Sequence, residues 1–116
     1  MRVLVCGGRD YDRQRVVWDE LDRLHGETPI TLLITGAAPG ADSLADQWGA
    51  ARGIDRVLFP ANWKGRGNSA GPIRNGRMLR IATPELVVAF PSKGPGTFNM
   101  IDQAKRAGVP VRQVGD

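Results

Sequence analysis

The chain has one cysteine, one histidine, one tyrosine and few aromatic residues of any kind. A single cysteine forms no internal disulfide, so the sequence carries no sign of an oxidising compartment, and the cytoplasm is the expected location. One cysteine and one histidine also leave too few ligands for a zinc site, and neither a metal nor another cofactor is expected. No apolar run approaches the roughly 20 residues that span a bilayer. The opening Met1-Arg2-Val3-Leu4-Val5-Cys6 is too short for a signal peptide and has no cleavage site, so a membrane role is not expected.

The 116 residues are enough for one core and leave no room for a second substrate domain, so residues 1–116 read as a single domain. The 16 basic and 12 acidic residues give a net charge of +4. That balance suits an anionic partner such as a nucleotide or nucleic acid, and is weak evidence taken alone. The 15 glycines are about twice the average usage. They cluster behind apolar runs instead of forming a linker.

Five apolar runs alternate with helical patterns. Arg2–Cys6, Ile30–Thr35, Ile54–Phe59, Glu85–Phe90 and Val109–Val114 read as strands. Asp12–His25 carries Val17, Leu21 and Leu24 at helical spacing and is expected to end at Gly26. Helices are also expected over Ala41–Arg52, Ala70–Ala82 and Thr97–Ala107, and a loop over Ala61–Ser69. The alternation predicts an α/β fold, a single Rossmann-like three-layer domain whose parallel sheet has its strands in the order 3-2-1-4-5. The ligand crevice then lies beyond the carboxyl ends of strands 1 and 4.

Four short segments carry the chemistry. In Gly7-Gly8-Arg9-Asp10-Tyr11 the glycines admit a close backbone approach to a phosphate or sugar. Arg9 then meets an anion, Asp10 a ribose hydroxyl, and Tyr11 stacks on a base; alternatively the segment is a tight turn with Asp10 or Asp12 capping the helix. In Thr35-Gly36-Ala37-Ala38-Pro39-Gly40-Ala41-Asp42 the small residues open onto a helix N-terminus. It lacks the Gly-Lys-Ser/Thr ending of a P-loop, and Asp42 is favourable there through the helix dipole alone. In Gly71-Pro72-Ile73-Arg74-Asn75, Arg74 shares a helical face with Met78 and Ile81. The two apolar members are expected to face the sheet, which turns Arg74 inward at the ligand end. An inward arginine needs an anion, supplied by a ligand or by Asp10 or Asp42. In Pro91-Ser92-Lys93-Gly94-Pro95-Gly96-Thr97 the glycines open the backbone and Thr97 is expected to cap the next helix.

Other residues read as structural. Cys6 is expected in the core, His25 at a helix C-terminus as a dipole partner, and Trp18 and Trp48 in the core. Trp63, in a polar segment with Lys64 and Arg66, either stacks on a base or anchors its loop.

The four segments, in this order and over nearly the whole chain, resemble the SLOG superfamily. It includes the LOG-type phosphoribohydrolases and the DNA-processing protein DprA. The match is best with the YspA-type, YpsA-related branch of bacterial and phage proteins. The resemblance implies a Rossmann-like domain binding a nucleotide or nucleotide-derived ligand, as a sensor or binding domain, and a homodimer. The ligand-binding positions it implies are Gly7, Gly8, Arg9, Asp10, Tyr11, Gly36, Gly40, Ala41, Asp42, Arg74, Asn75, Gly94, Gly96 and Thr97.

An alternative is N-glycosidic hydrolysis of a nucleoside monophosphate or dinucleotide, with Arg74, Asp10 and Asp42 as the catalytic candidates. The LOG enzymes carry a glutamate where this chain has Met100, and an adjacent glycine pair where it has Gly94-Pro95. A glutamate at position 100 is expected to be tolerated in the first turn of its helix. A third reading is a DprA-like nucleic-acid binder, using the basic residues Lys64, Arg66, Arg74, Arg77 and Arg80.

Overall fold

The computed structural model describes residues 1–115. Strands β1 (Arg2–Gly7), β2 (Leu32–Thr35), β3 (Arg56–Leu58), β4 (Leu86–Phe90) and β5 (Val111–Gln113) form one sheet. Its order is β3-β2-β1-β4-β5 and every neighbouring pair is parallel. The expected topology is therefore the observed one. Strand β1 runs one residue past its expected end, and the other four strands are shorter than the runs that announce them.

Side chains alternate across a strand, so β1 serves two cores. Val3 and Val5 point to the face covered by α1 (Gln14–Glu27) and α2 (Ala41–Arg52), among Val17, Leu21 and Trp48. Leu4 and Cys6 point to the opposite face, among Met78, Met100, Ile101 and Ala104. Both faces of the parallel sheet are thus dry, which is the condition such sheets require. Trp48 is fully buried and its indole N–H donates to Asp22 at 2.8 Å. Trp18 is half-buried against the same core and donates to the Leu44 carbonyl.

Several local expectations are corrected. Helix α1 begins at Gln14 with Arg13 at its cap position, so neither Asp10 nor Asp12 caps it through a side chain. It runs through Gly26 to Glu27. His25 lies in the last turn of α1 as expected, and its Nδ1 also accepts from the Ile30 N–H at 2.9 Å.

The segment expected as a loop contains a short helix α3 (Trp63–Arg66) and a 3-10 turn (Gly67–Ser69). The Asn62 side chain starts α3 by accepting from the Gly65 N–H, an ordinary N-cap hidden by the glycines that follow.

Helix α4 (Ala70–Arg77) widens into a π-helical turn over Met78–Ala82. The wider turn breaks the spacing that placed Ile81 on the Arg74–Met78 face. Met78 is buried, whereas Ile81 is 60% exposed, and Leu79 and Ala82 pack on the core instead.

Helix α5 (Gly96–Arg106) has Pro95 at its cap position, so Thr97 lies inside the first turn and is buried. Met100 is fully buried in the core on the Leu4 and Cys6 face of the sheet. A glutamate there would place a carboxylate among Leu4, Met78 and Val87, so the expectation that it is tolerated does not hold.

The turn after β1 is fixed by backbone contacts. The Gly8 N–H donates to the Phe90 carbonyl, and the Gly8 carbonyl accepts from the N–H groups of Tyr11 and Ala41. Gly40 (φ +80°) makes that approach possible, since a Cβ there would lie 2.1 Å from the Gly8 carbonyl oxygen. Replacing Gly40 by alanine is therefore expected to cost at least about 2 kcal/mol. Urea unfolding of the two proteins checks this.

Candidate functional site

The carboxyl ends of β1, β2 and β4 meet the start of α2, the middle of α4 and the start of α5. The turn after β2 lies at the centre of this junction. Its Gly36 N–H donates to Asp42 Oδ2 at 2.9 Å, and the Ala38 N–H donates to the same oxygen at 3.3 Å. The Gly36 carbonyl accepts from Arg74 Nη1 at 2.6 Å. A Cβ at Gly36 would stand 2.4 Å from Arg74 Nη1 and 2.9 Å from Asp42 Oδ2, so only glycine fits between them. Ala37 adopts φ +58°, the strained left-handed region, to complete the turn.

Arg74 is half-buried. Its Nε donates to Asn75 Oδ1 at 3.0 Å. Asn75 is buried and in turn donates to Asn99 Oδ1 at 3.1 Å and to the Gly96 carbonyl at 3.4 Å. The chain of contacts from Gly36 through Arg74 and Asn75 to Gly96 therefore links β2, α4 and α5. Burial lowers the pKa of Arg74 and the nearby Asp42 charge opposes that shift; the guanidinium stays charged in either case.

Asp42 responds in the opposite sense. Burial pushes its carboxyl from 3.8 up to about 6, against the Ala38 N–H, the Arg74 charge, the Gly36 N–H and the Arg9 charge, which all favour the anion. It is thus more than a helix-dipole residue: it holds the β2 turn and titrates near neutrality. The Cys6 thiol lies close enough to feel both Asp42 and Arg74, and burial raises its pKa most of all. It is an inert core thiol.

The remaining expected site residues fall into two groups. Arg9 and Asp10 are exposed on the β1 turn, and Gly94, Pro95 and Gly96 are exposed ahead of α5. The Arg9 guanidinium lies over the Trp63 ring, 5.8 Å from its centroid. Asp10 Oδ1 accepts from the Ser92 hydroxyl at 2.7 Å, which ties the β1 turn to the β4 turn and holds the Asp10 pKa below its ordinary value.

The second group packs inward. Gly7, Gly40 and Ala41 form the close contact between β1 and α2, where a Cβ at Gly7 would meet Ala41 Cβ at 2.4 Å. Gly8 is buried against Ser92. The Tyr11 ring is buried, 5.6 Å from the Phe90 ring, so it is a core group and not an exposed stacking platform. Trp63, 47% exposed, is the aromatic beside the cations. Ser92 and Asn99 escaped sequence reasoning; a polar residue in a glycine-rich turn is the one signal Ser92 offered.

A parallel sheet in this strand order, with an arginine and glycine turns gathered at its strand ends, defines a Rossmann-like α/β domain. The comparisons agree. Residues 1–65 match YAcAr, the YspA, cpYpsA-related SLOG family. The chain is 35% identical to "Gene 61 protein" of Mycobacterium phage D29, an alignment covering 99% of this chain and 97% of that protein. The chain belongs to the YspA, cpYpsA-related SLOG family.

The Asp42 shift has a testable consequence. Its pKa is raised on folding, so the contribution to stability is fully present below pH 3.8 and is lost as pH rises through about 6. Asp42→Asn keeps an acceptor oxygen without the charge. Wild type is expected to lose stability against this variant across that window, by on the order of 3 kcal/mol. Urea unfolding at a series of pH values measures the difference, and a constant gap would contradict the assignment.

Proposed function

We propose that the chain binds a phosphate-bearing nucleotide or nucleotide-derived ligand, as a sensor or ligand-binding domain. The anion lies beside Arg74 and Arg9, next to the exposed turns at Gly94 and Gly96. The observation that carries this reading is the position of Arg74. It is half-buried at the strand ends, with a backbone carbonyl and an amide oxygen as its hydrogen-bond acceptors. A carbonyl and an amide orient a guanidinium without neutralising it, and the exposed Arg9 adds a second positive charge that both Arg74 and Asp42 feel. The planar donor fork suits a phosphate group. Trp63 supplies an aromatic face at the same edge. Family membership supports the ligand class.

A second reading, N-glycosidic cleavage, is favoured by Asp42 alone. Met100 is committed to the core, and Asp10 is exposed and bound to Ser92. Asp42 is a buried carboxyl with a pKa of about 6 beside an arginine, the kind of perturbed group found at catalytic sites. Release of free base from adenosine monophosphate would support this reading. Nucleic-acid binding in the manner of DprA is the weaker alternative: Lys64, Arg66, Arg77 and Arg80 are exposed, and binding through them would fall steeply with salt. A homodimer in the cytoplasm completes the proposal, on the strength of the family resemblance and the cysteine count.

Arg74→Ala is expected to weaken adenosine monophosphate binding at least tenfold, that is by about 1.4 kcal/mol or more, with the far-ultraviolet circular dichroism unchanged. Arg74→Lys, which keeps the charge and loses the fork, is expected to fall between them. Titration calorimetry reads all three proteins, and equal affinities would overturn the assignment.

A further inference from the structure

A cavity of about 160 Å³ is lined by Asp42 but not by Arg74. It lies between the end of β2, the start of α2 and the end of β3. Its lining includes Ala37, Asp42, Ser43, Asp46, Gln47 and Leu58. Its volume is below the roughly 300–1,000 Å³ of a complete small-molecule site. It therefore takes one moiety of a ligand and not a whole nucleotide.

The polar groups on its wall are mostly acceptors. Asp46 Oδ2 accepts from Arg56 Nη1 at 2.9 Å, while Asp46 Oδ1 is buried and has no hydrogen-bond partner among the described residues. An oxygen left unpaired in this way is costly, and the soft terminal torsion of an aspartate lets it turn toward a donor that arrives. Ser43 donates its hydroxyl to the Ala38 carbonyl and so faces any ligand as an acceptor. Gln47 offers both a donor and an acceptor. Leu58, on the edge strand, is 45% exposed and supplies an apolar wall.

We propose that this cavity is a second subsite, which takes the neutral, donor-bearing nucleoside end of the ligand whose phosphate lies at Arg74. The inference rests on the proposed function for the connection between the two ends, and on the cavity alone for the chemistry of the donor. Asp42 lines the cavity and accepts from the Gly36 N–H, and Arg74 donates to the Gly36 carbonyl, so one β2 turn adjoins both ends of the proposed site. The donor is the exocyclic amino group of a base or the diol of a ribose, and both chemistries satisfy the unpaired Asp46 oxygen.

The test is amide NMR of the full chain titrated with adenosine, inosine, 2′-deoxyadenosine and inorganic phosphate. Adenosine is expected to move the amides of Ala37, Ser43 and Gln47, whereas inorganic phosphate moves the Arg74 side-chain N–H and leaves those amides in place. Ser43→Leu, which fills the cavity, should weaken adenosine at least about tenfold and leave inorganic phosphate unchanged. Gln47→Ala, on the exposed side of α2, should weaken adenosine to a smaller extent. Weak inosine binding assigns the donor to the base amino group, and weak 2′-deoxyadenosine binding assigns it to the sugar. Equal binding of all three nucleosides, or an adenosine titration that leaves the three amides unmoved, would overturn the subsite. Failure of inorganic phosphate to touch Arg74, with the adenosine response intact, would instead refute the proposed function and leave the subsite standing.

Discussion

The peptide at Gly36 is held from both sides: its N–H by the buried Asp42 carboxylate and its carbonyl by the Arg74 guanidinium. This one peptide joins an acid and a base that are otherwise not bonded to each other. The arrangement places the start of α2 and the middle of α4 at a fixed distance across the end of β2. It also demands glycine at position 36, because any Cβ would displace the guanidinium. Through Asn75 the same guanidinium reaches the Gly96 carbonyl, so the α5 turn is positioned by the residue that would receive the ligand's anion. In the proposed function, binding and architecture share a side chain, which orients the guanidinium in advance of a ligand.

Electrostatics follow from this geometry. Asp42 is buried, so its charge is costly even with two N–H groups and two arginines favouring it. A carboxyl poised near pH 6 beside a fixed guanidinium changes the local field as it titrates. An anion approaching Arg74 meets a more positive site when Asp42 is protonated. The β1 turn contributes Arg9, whose guanidinium lies over the Trp63 ring. The Asp10–Ser92 hydrogen bond closes the switch point between β1 and β4 without neutralising either arginine.

The fold was legible because its signals are redundant. Apolar strands, helix periods and glycine turns all imply the same parallel sheet, and the crossover rule leaves few orders. The inward position of Arg74 was legible for a related reason: it lies one helical turn from Met78, which is buried. Ile81 departs from its expected face because a π-helical turn carries no pattern of its own in a single sequence. Tyr11 looked like a stacking group in a polar turn, but the turn folds back so that its ring meets Phe90, a contact 79 residues away in sequence (90 minus 11). Met100 had the helix position of a catalytic group, yet its side chain belongs to the core between α5 and the sheet. Helical position places a residue on a helix, and only the packed partner decides which face is dry. Local sequence offers only the helix dipole for Asp42, because nothing local reveals that the preceding turn wraps onto its carboxylate. The Asp46 carboxylate carries no local signal for the same reason: Arg56, which binds its Oδ2, lies on the edge strand.

The central claim is that the Gly36–Arg74 junction holds the phosphate of a nucleotide-type ligand. Native mass spectrometry of the purified protein, with the retained small molecules identified after denaturation, tests it most directly. The account predicts a phosphorylated nucleotide derivative carried by the wild type and absent from Arg74→Ala. A retained ligand without phosphate, or the same phosphorylated ligand on both proteins, would contradict it.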